Sequence, residues 1–135
     1  MSTRAVIEIY DETQNLLVAI FNHWDGMPER LGKKIYNTLK GHILTNGVEY
    51  PENENDGKFS SMGCLSAYLI GELKEHRKGN IYIIRQNNFD YAAADYIYKI
   101  YPVGDSIFIK VIDQSEMKII EIFDKNINYF FKQKQ

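Results

Sequence analysis

The chain opens on an alternating stretch. Over residues 3–10, Ala5, Ile7 and Ile9 fall on one side and Arg4, Val6, Glu8 and Tyr10 on the other. That period of two predicts a strand with one buried face. Asp11 to Asn15 is a polar turn, and Leu16 to Phe21 is apolar at every position, as expected of a central strand completing a hairpin. Asn22 to Pro28 breaks the strand. Pro28 suits the first turn of a helix, and Leu31, Ile35, Leu39 and Ile43 recur at helical spacing. The spacing predicts an amphipathic helix over 28–44, with Gly41 marking fraying or an early stop. Residues 45–60, which hold Asn46-Gly47, Pro51, Glu49, Glu52, Glu54 and Asp56, read as a long mobile polar loop. Ser60 or Ser61 then caps a second helix with a stripe of Met62, Leu65, Leu69, Ile70 and Leu73, and Gly79-Asn80 ends it.

Beyond that point the pattern is mostly strand: Ile81–Ile84, Asp95–Tyr101, Ser106–Asp113 and Glu116–Asp124. Turn signals at Pro102 to Asp105 and at Gln114-Ser115 predict that the last three form an antiparallel meander. Residues 125–135 carry Ile127, Phe130 and Phe131 at helical spacing and are expected to dock as a short helix, on this protomer or a neighbour. The order ββ-α-α-ββββ predicts a single α+β domain over residues 1–135. Its natural form is a two-layer sandwich, with two helices on one face of a mostly antiparallel sheet. Tyr96, Tyr98, Phe108, Lys110 and Lys118 are expected on the other face, toward water or a partner.

Composition narrows the function classes. A formal charge of −2 argues against general nucleic-acid binding, which needs a surplus of Lys and Arg to neutralise phosphates. The single cysteine, Cys64, has no intramolecular disulfide partner, and with three histidines it builds no Cys-rich zinc site. No apolar run approaches the ~20 residues that cross a bilayer, and the first residues lack a signal-peptide pattern. A cytoplasmic protein without metal, cofactor or membrane partner is expected.

Candidate chemistry concentrates at Asn22-His23-Trp24-Asp25-Gly26. This stretch lies between a strand end and a helix start, where unpaired N–H groups favour an anion. His23 offers a hydrogen bond, Trp24 a stacking plane, and Asp25 a bond to a ribose or to the imidazole. The plainer reading is a tight turn with Trp24 filling the core edge. The second helix start, Ser60-Ser61-Met62-Gly63, resembles a phosphate cradle in physical type, with no P-loop ending; the plainer reading is a serine cap. Cys64 is read as a small core residue on a buried stripe, the alternative being a nucleophile with His23 as its base. His42 and His76 are placed on helix ends, facing water. In the loop from Arg85 to Tyr91, Arg85 suits a phosphate, Phe89 or Tyr91 suits a base, and Asn88 adds a polar group. Arg4, opening the first strand, completes the set of expected ligand residues.

Four pieces together carry a resemblance: Ser2-Thr3-Arg4-Ala5, then His23-Trp24-Asp25-Gly26 with Pro28, then Met62-Gly63-Cys64-Leu65, and Ile81-Tyr82 ahead of a Tyr-rich strand. The arrangement resembles a family of small proteins of phages, prophages and some bacteria, over nearly the whole chain. Members of that family often carry Tyr at the position of Met27 and Asn-Gly at that of Ser60-Ser61. The resemblance brings no activity with it. It implies a setting, a small accessory protein of phage type in the host cytosol, where such proteins commonly inhibit host enzymes or capture nucleotide immune signals.

Three functions follow as expectations. The first is a module, expected to be a homo-oligomer, that sequesters a phosphorylated nucleotide-type ligand without cleaving it. The second is a protein inhibitor that binds a host enzyme through its Tyr-rich sheet or the acidic loop at 49–56. The third is a small hydrolase using His23 as base and Asp25 to orient it.

Overall fold

The computed structural model describes residues 2–45 and 57–122, and of 118–122 the backbone alone, so the expectation for the Lys118 side chain lies outside what it describes. Its main sheet has six strands: β1 (Ala5–Tyr10), β2 (Leu16–Asn22), β5 (Ile81–Ile84), β6 (Tyr96–Val103), β7 (Ser106–Asp113) and β8 (Lys118–Ile122). They lie in the order β5-β2-β1-β6-β7-β8. Every neighbouring pair is antiparallel except β1 and β6, which run parallel. Two short strands, β3 (Ile43–Leu44) and β4 (Lys58–Phe59), form a separate parallel pair. The helices are α1 (Lys33–Leu39), entered through a π-helical turn over Pro28–Gly32, and α2 (Met62–Lys74). The fold is an α+β sandwich with a mostly antiparallel sheet, as the pattern predicts, and β6, β7 and β8 form the expected meander.

One row of side chains shows how the layers meet. Ile20, Ile7, Tyr98 and Val111 stand side by side across β2, β1, β6 and β7. All four are buried in one cluster with Leu31, Ile35 and Leu39 before and within α1, and Met62, Leu65, Leu69 and Leu73 of α2. Burying each of these aliphatic side chains contributes roughly 1.5–3 kcal/mol, so this layer is where the fold is held.

The alternation of β1 predicts one buried face, and the structure buries both. Val6 and Glu8 are as hidden as Ile7 and Ile9, because the segment between β5 and β6 folds over the helix-free side of the sheet. Tyr96 and Tyr98 share the row positions of the core, so they stand on the helix side and not on the opposite face as expected. Phe108 and Lys110 do lie on the opposite face, since they alternate with Ile107, Ile109 and Val111.

The first helix is shorter than its apolar spacing predicts. It ends at Leu39, and Gly41 follows with a φ of +74°, a left-handed conformation suited to glycine. Ile43 therefore leaves the helical stripe for β3, where it is 44% exposed. Lys58 and Phe59, expected in the loop, pair with β3. The acidic string Glu49, Glu52, Glu54 and Asp56, and the tail at 125–135, lie outside the described residues. At the other hairpin, Pro102 belongs to β6 itself, beyond the last residue of that strand paired with β1, where no partner there needs its missing N–H. The turn contracts to Gly104-Asp105, with Gly104 at a φ of +62°.

Candidate functional site

The loop that follows β2 is fixed in place from three directions. The Gly26 N–H donates to the Thr3 carbonyl at 2.9 Å, and the Gly26 carbonyl accepts from the buried Tyr98 hydroxyl at 2.8 Å. Backbones approach so closely there that a Cβ on residue 26 would stand 2.9 Å from both the Ala5 Cβ and the Thr3 oxygen. Glycine is required for space. Asn80, just after α2, supplies the third anchor. Its backbone carbonyl accepts from the His23 N–H at 2.9 Å, and its side-chain oxygen accepts from the Trp24 N–H at 2.7 Å. Buried Asn22 closes the loop by donating from Nδ2 to the Trp24 carbonyl at 2.6 Å. Asp25 adopts a φ of +57° at the apex, a conformation Asn and Asp tolerate better than bulkier residues.

This anchoring presents Trp24 at 49% exposure, beside a recess of about 270 Å³ lined by Asn22, Asp25, Arg30, Lys34, Glu75 and Arg77, among others. Its size is near the small end of ligand sites, about 300–1,000 Å³. Three cations converge on it from two elements. Arg30 lies in the π-helical turn and Lys34 four residues later, where helical geometry puts both on one side. Arg77 comes from the turn after α2. The Glu75 carboxylate joins the two outer cations: one oxygen contacts the Lys34 ammonium, and the other lies 3.3 Å from the Arg77 guanidinium. Burial, then the neighbouring Arg77, holds the Lys34 ammonium below the usual lysine range.

The expected ligand residues divide among several places. Asn22, Trp24 and Asp25 share the recess. His23 turns away from it, its ring edge-on to Trp24 at 4.9 Å and to Phe21 at 5.7 Å between centroids. No hydrogen bond joins His23 to Asp25. Ser60, Ser61, Met62 and Gly63 stand at the opposite end of α2 from Leu73 and Glu75. At a rise of about 1.5 Å per residue that helix separates them by roughly 18 Å. The helix start is also engaged by an anion of the chain's own. The Met62 N–H donates to the Glu12 carboxylate at 2.7 Å, and the Cys64 N–H donates to the Ser61 hydroxyl at 3.1 Å. Met62 is core, and a Cβ at Gly63 would make only ordinary contact with Ser61. Cys64 is exposed rather than part of the buried stripe. His42 stacks on Phe59, centroids 4.5 Å apart and rings inclined by 13°, instead of standing free in water. His76 is exposed, as expected.

Arg85, Asn88 and Tyr91 lie on the helix-free side of the sheet. Arg85 and Asn88 are exposed around a short 3-10 turn. Tyr91 reaches down to Glu8, donating to its carboxylate at 2.8 Å. Glu8 is 2% exposed and also accepts from the Tyr10 hydroxyl at 2.8 Å and the Gln86 amide at 3.0 Å, with the Lys99 ammonium 3.6 Å away. Burial, then the bond to Glu8, pushes both tyrosine hydroxyls far above their usual range. Arg4 is apart from both clusters. Its N–H donates to the Asp95 carboxylate at 3.0 Å, and its side chain is exposed.

Sequence reasoning misses Arg30, Lys34, Glu75, Arg77 and Asn80. The spacing of Arg30 and Lys34 was visible, but Arg77 and Asn80 join them only because the turn after α2 folds back onto the β2 loop. Among the described residues no group of three His, Cys, Asp or Glu side chains is placed to hold a metal ion, and no helix is long and apolar enough to cross a membrane. No protein-family model, curated protein or solved structure matches this chain.

Proposed function

We propose that the chain is a binding module that holds a phosphorylated, ring-containing ligand of nucleotide type at the Trp24 recess, without cleaving it. The observation that carries this reading is the rigid presentation of Trp24 beside Arg30, Lys34 and Arg77. An aromatic plane stacks on a base, arginine and lysine meet a phosphate, and Asn22, Asp25 and Asn80 add polar groups for orientation. Capture of this kind needs no acid–base pair, and His23 and Asp25 do not form one. The resemblance to small phage proteins makes a nucleotide-derived host signal the first occupant to try.

Trp24 is the single tryptophan, so its emission reports on the recess directly. Titration with mononucleotides, cyclic di- and trinucleotides and ADP-ribose derivatives is expected to quench it for at least one class. The ligand should be recovered intact after denaturation. A flat response in both fluorescence and calorimetry across that panel overturns the reading; recovery of products instead would make the protein an enzyme.

A second reading, a protein partner, draws on the sheet edge at β5. There Ile83 is 70% exposed and Tyr82 is close by at 47%, on a strand whose outer side has no neighbour in the described sheet. Exposed strand edges pair readily with other chains, including a second copy. A stoichiometric host protein or a stable oligomer lost in Ile83→Lys supports it; a monomer with no partner removes it.

A further inference from the structure

Resting on the recess described above, we propose that the Glu75 carboxylate occupies the anion position of the site, and that a ligand phosphate binds by replacing it between Lys34 and Arg77. The contact to Lys34 and the 3.3 Å approach to Arg77 put one carboxylate between two cations that line the same recess. A phosphate entering there meets a position already filled by negative charge.

The local backbone accounts for Glu75 as the cap of α2, its N–H donating to the Gly71 carbonyl, but not for where its carboxylate points. Glu75 follows the last residue of α2 with a φ of +51°, and His76 continues at +60°. Two successive side chains in the left-handed region are unfavourable for residues other than glycine, asparagine and aspartate. A carboxylate at a helix C-terminus also faces the negative end of the helix dipole. Lys74, the cation expected to satisfy that end, spends its ammonium on the carbonyls of Lys78 and Ile81. The two cations of the recess are therefore what hold the Glu75 side chain in place.

Replacement has a consequence for ligand charge. A singly charged anion exchanges one negative charge for another and gains little. A phosphate of charge −2, or a diphosphate, leaves a net gain at Lys34 and Arg77. Glu75 is thus a built-in competing anion that a multiply charged phosphate displaces and a monoanion does not, and that leaves neutral nucleosides, which do not enter this position, unaffected.

The test compares wild type with Glu75→Gln and Glu75→Gly, using Trp24 fluorescence with ADP, inorganic pyrophosphate and adenosine as probes. Glycine accepts the left-handed conformation, so this second variant stays folded even where the glutamine one does not. Both variants are expected to bind ADP and pyrophosphate about tenfold more tightly, with adenosine binding unchanged. If wild type binds ADP and the variants bind it no better, the inference fails while the recess remains a nucleotide site. An equal gain for adenosine also overturns it, because the effect would then be steric. If none of the three proteins binds any of the probes, the inference falls, and a flat response to the wider nucleotide panel brings down the recess reading with it.

Discussion

The Tyr98 hydroxyl donates to the Gly26 carbonyl at 2.8 Å, so a tyrosine of the parallel strand pair, buried beneath the helices, holds the loop that displays Trp24. Site and core are one mechanical unit here. Removing the hydroxyl in Tyr98→Phe deprives a buried carbonyl of its donor and is expected to cost about 1–3 kcal/mol. Gly26→Ala forces the Ala5 and Thr3 contacts apart, at about 1–3 kcal/mol for overpacking. Urea unfolding measures both. A Tyr98→Phe protein as stable as wild type would show that this bond does not anchor the loop.

Asn80 combines a left-handed backbone, φ +71°, with a side-chain bond to the Trp24 N–H. Asn80→Gly keeps the backbone conformation and deletes the bond. Stability should fall by about 1 kcal/mol, while Trp24 gains mobility. Time-resolved fluorescence anisotropy is the measurement, and an unchanged Trp24 decay would argue that the loop is held without Asn80.

On the other side of the sheet, Glu8 fastens the 85–94 segment through Tyr91 and Gln86. Glu8→Ala strips a carboxylate from its hydroxyl, amide and ammonium partners and is expected to destabilise by on the order of 3 kcal/mol. Tyr91→Phe removes one bond of a half-buried group and should cost about 1 kcal/mol. Hydrogen exchange would locate the loss: amides of 86–94 should lose protection first. Uniform loss across the chain would show that Glu8 supports the sheet and not this segment.

Alkaline pH acts on the same cluster and on Tyr98 in the core across the sheet. Tyr10, Tyr91 and Tyr98 are held protonated in the folded state well above their ordinary value of 10.0, the first two by burial and then Glu8, Tyr98 by burial above all. The unfolded chain releases these protons near pH 10, while the folded one retains them. The stabilisation is thus complete below pH 10 and declines as pH rises past it. Urea midpoints should fall above pH 10, and less so in Tyr10→Phe/Tyr91→Phe. Tyrosinate absorbance should show a fraction that ionises only on unfolding; full ionisation of the folded protein near pH 10 would contradict the buried network.

Cys64 is exposed in the first turn of α2, away from the recess. It should react quickly with a thiol reagent in the folded state, and Cys64→Ser should leave stability within about 0.5 kcal/mol and ligand binding unaltered. A protected thiol would return Cys64 to the core.

The sequence by itself determined the order of the two helices and of the six strands of the main sheet, the hairpins and the apolar rows, though not the short β3–β4 pair, because periods of two and 3.6 are local properties of the chain. Asn22, Trp24 and Asp25 were also legible, since a strand-to-helix break rich in side-chain chemistry stands out without any tertiary information. Only the tertiary structure decided which face each row of β6 takes. One residue's shift of register moves Tyr96 and Tyr98 from solvent to core, and neighbouring strands far apart in sequence set that register. It likewise decided that Val6 and Glu8 are buried, since their cover arrives some eighty residues later. The helix start at Ser61 and the Trp24 loop looked like parts of one pocket, but the length of α2 holds them apart. Asn80, which accepts from the Trp24 N–H, and Arg77, which lines the same recess, came from a turn whose residues have no periodic signal. Their meaning lies in a contact between segments more than fifty residues apart, and no local pattern encodes that.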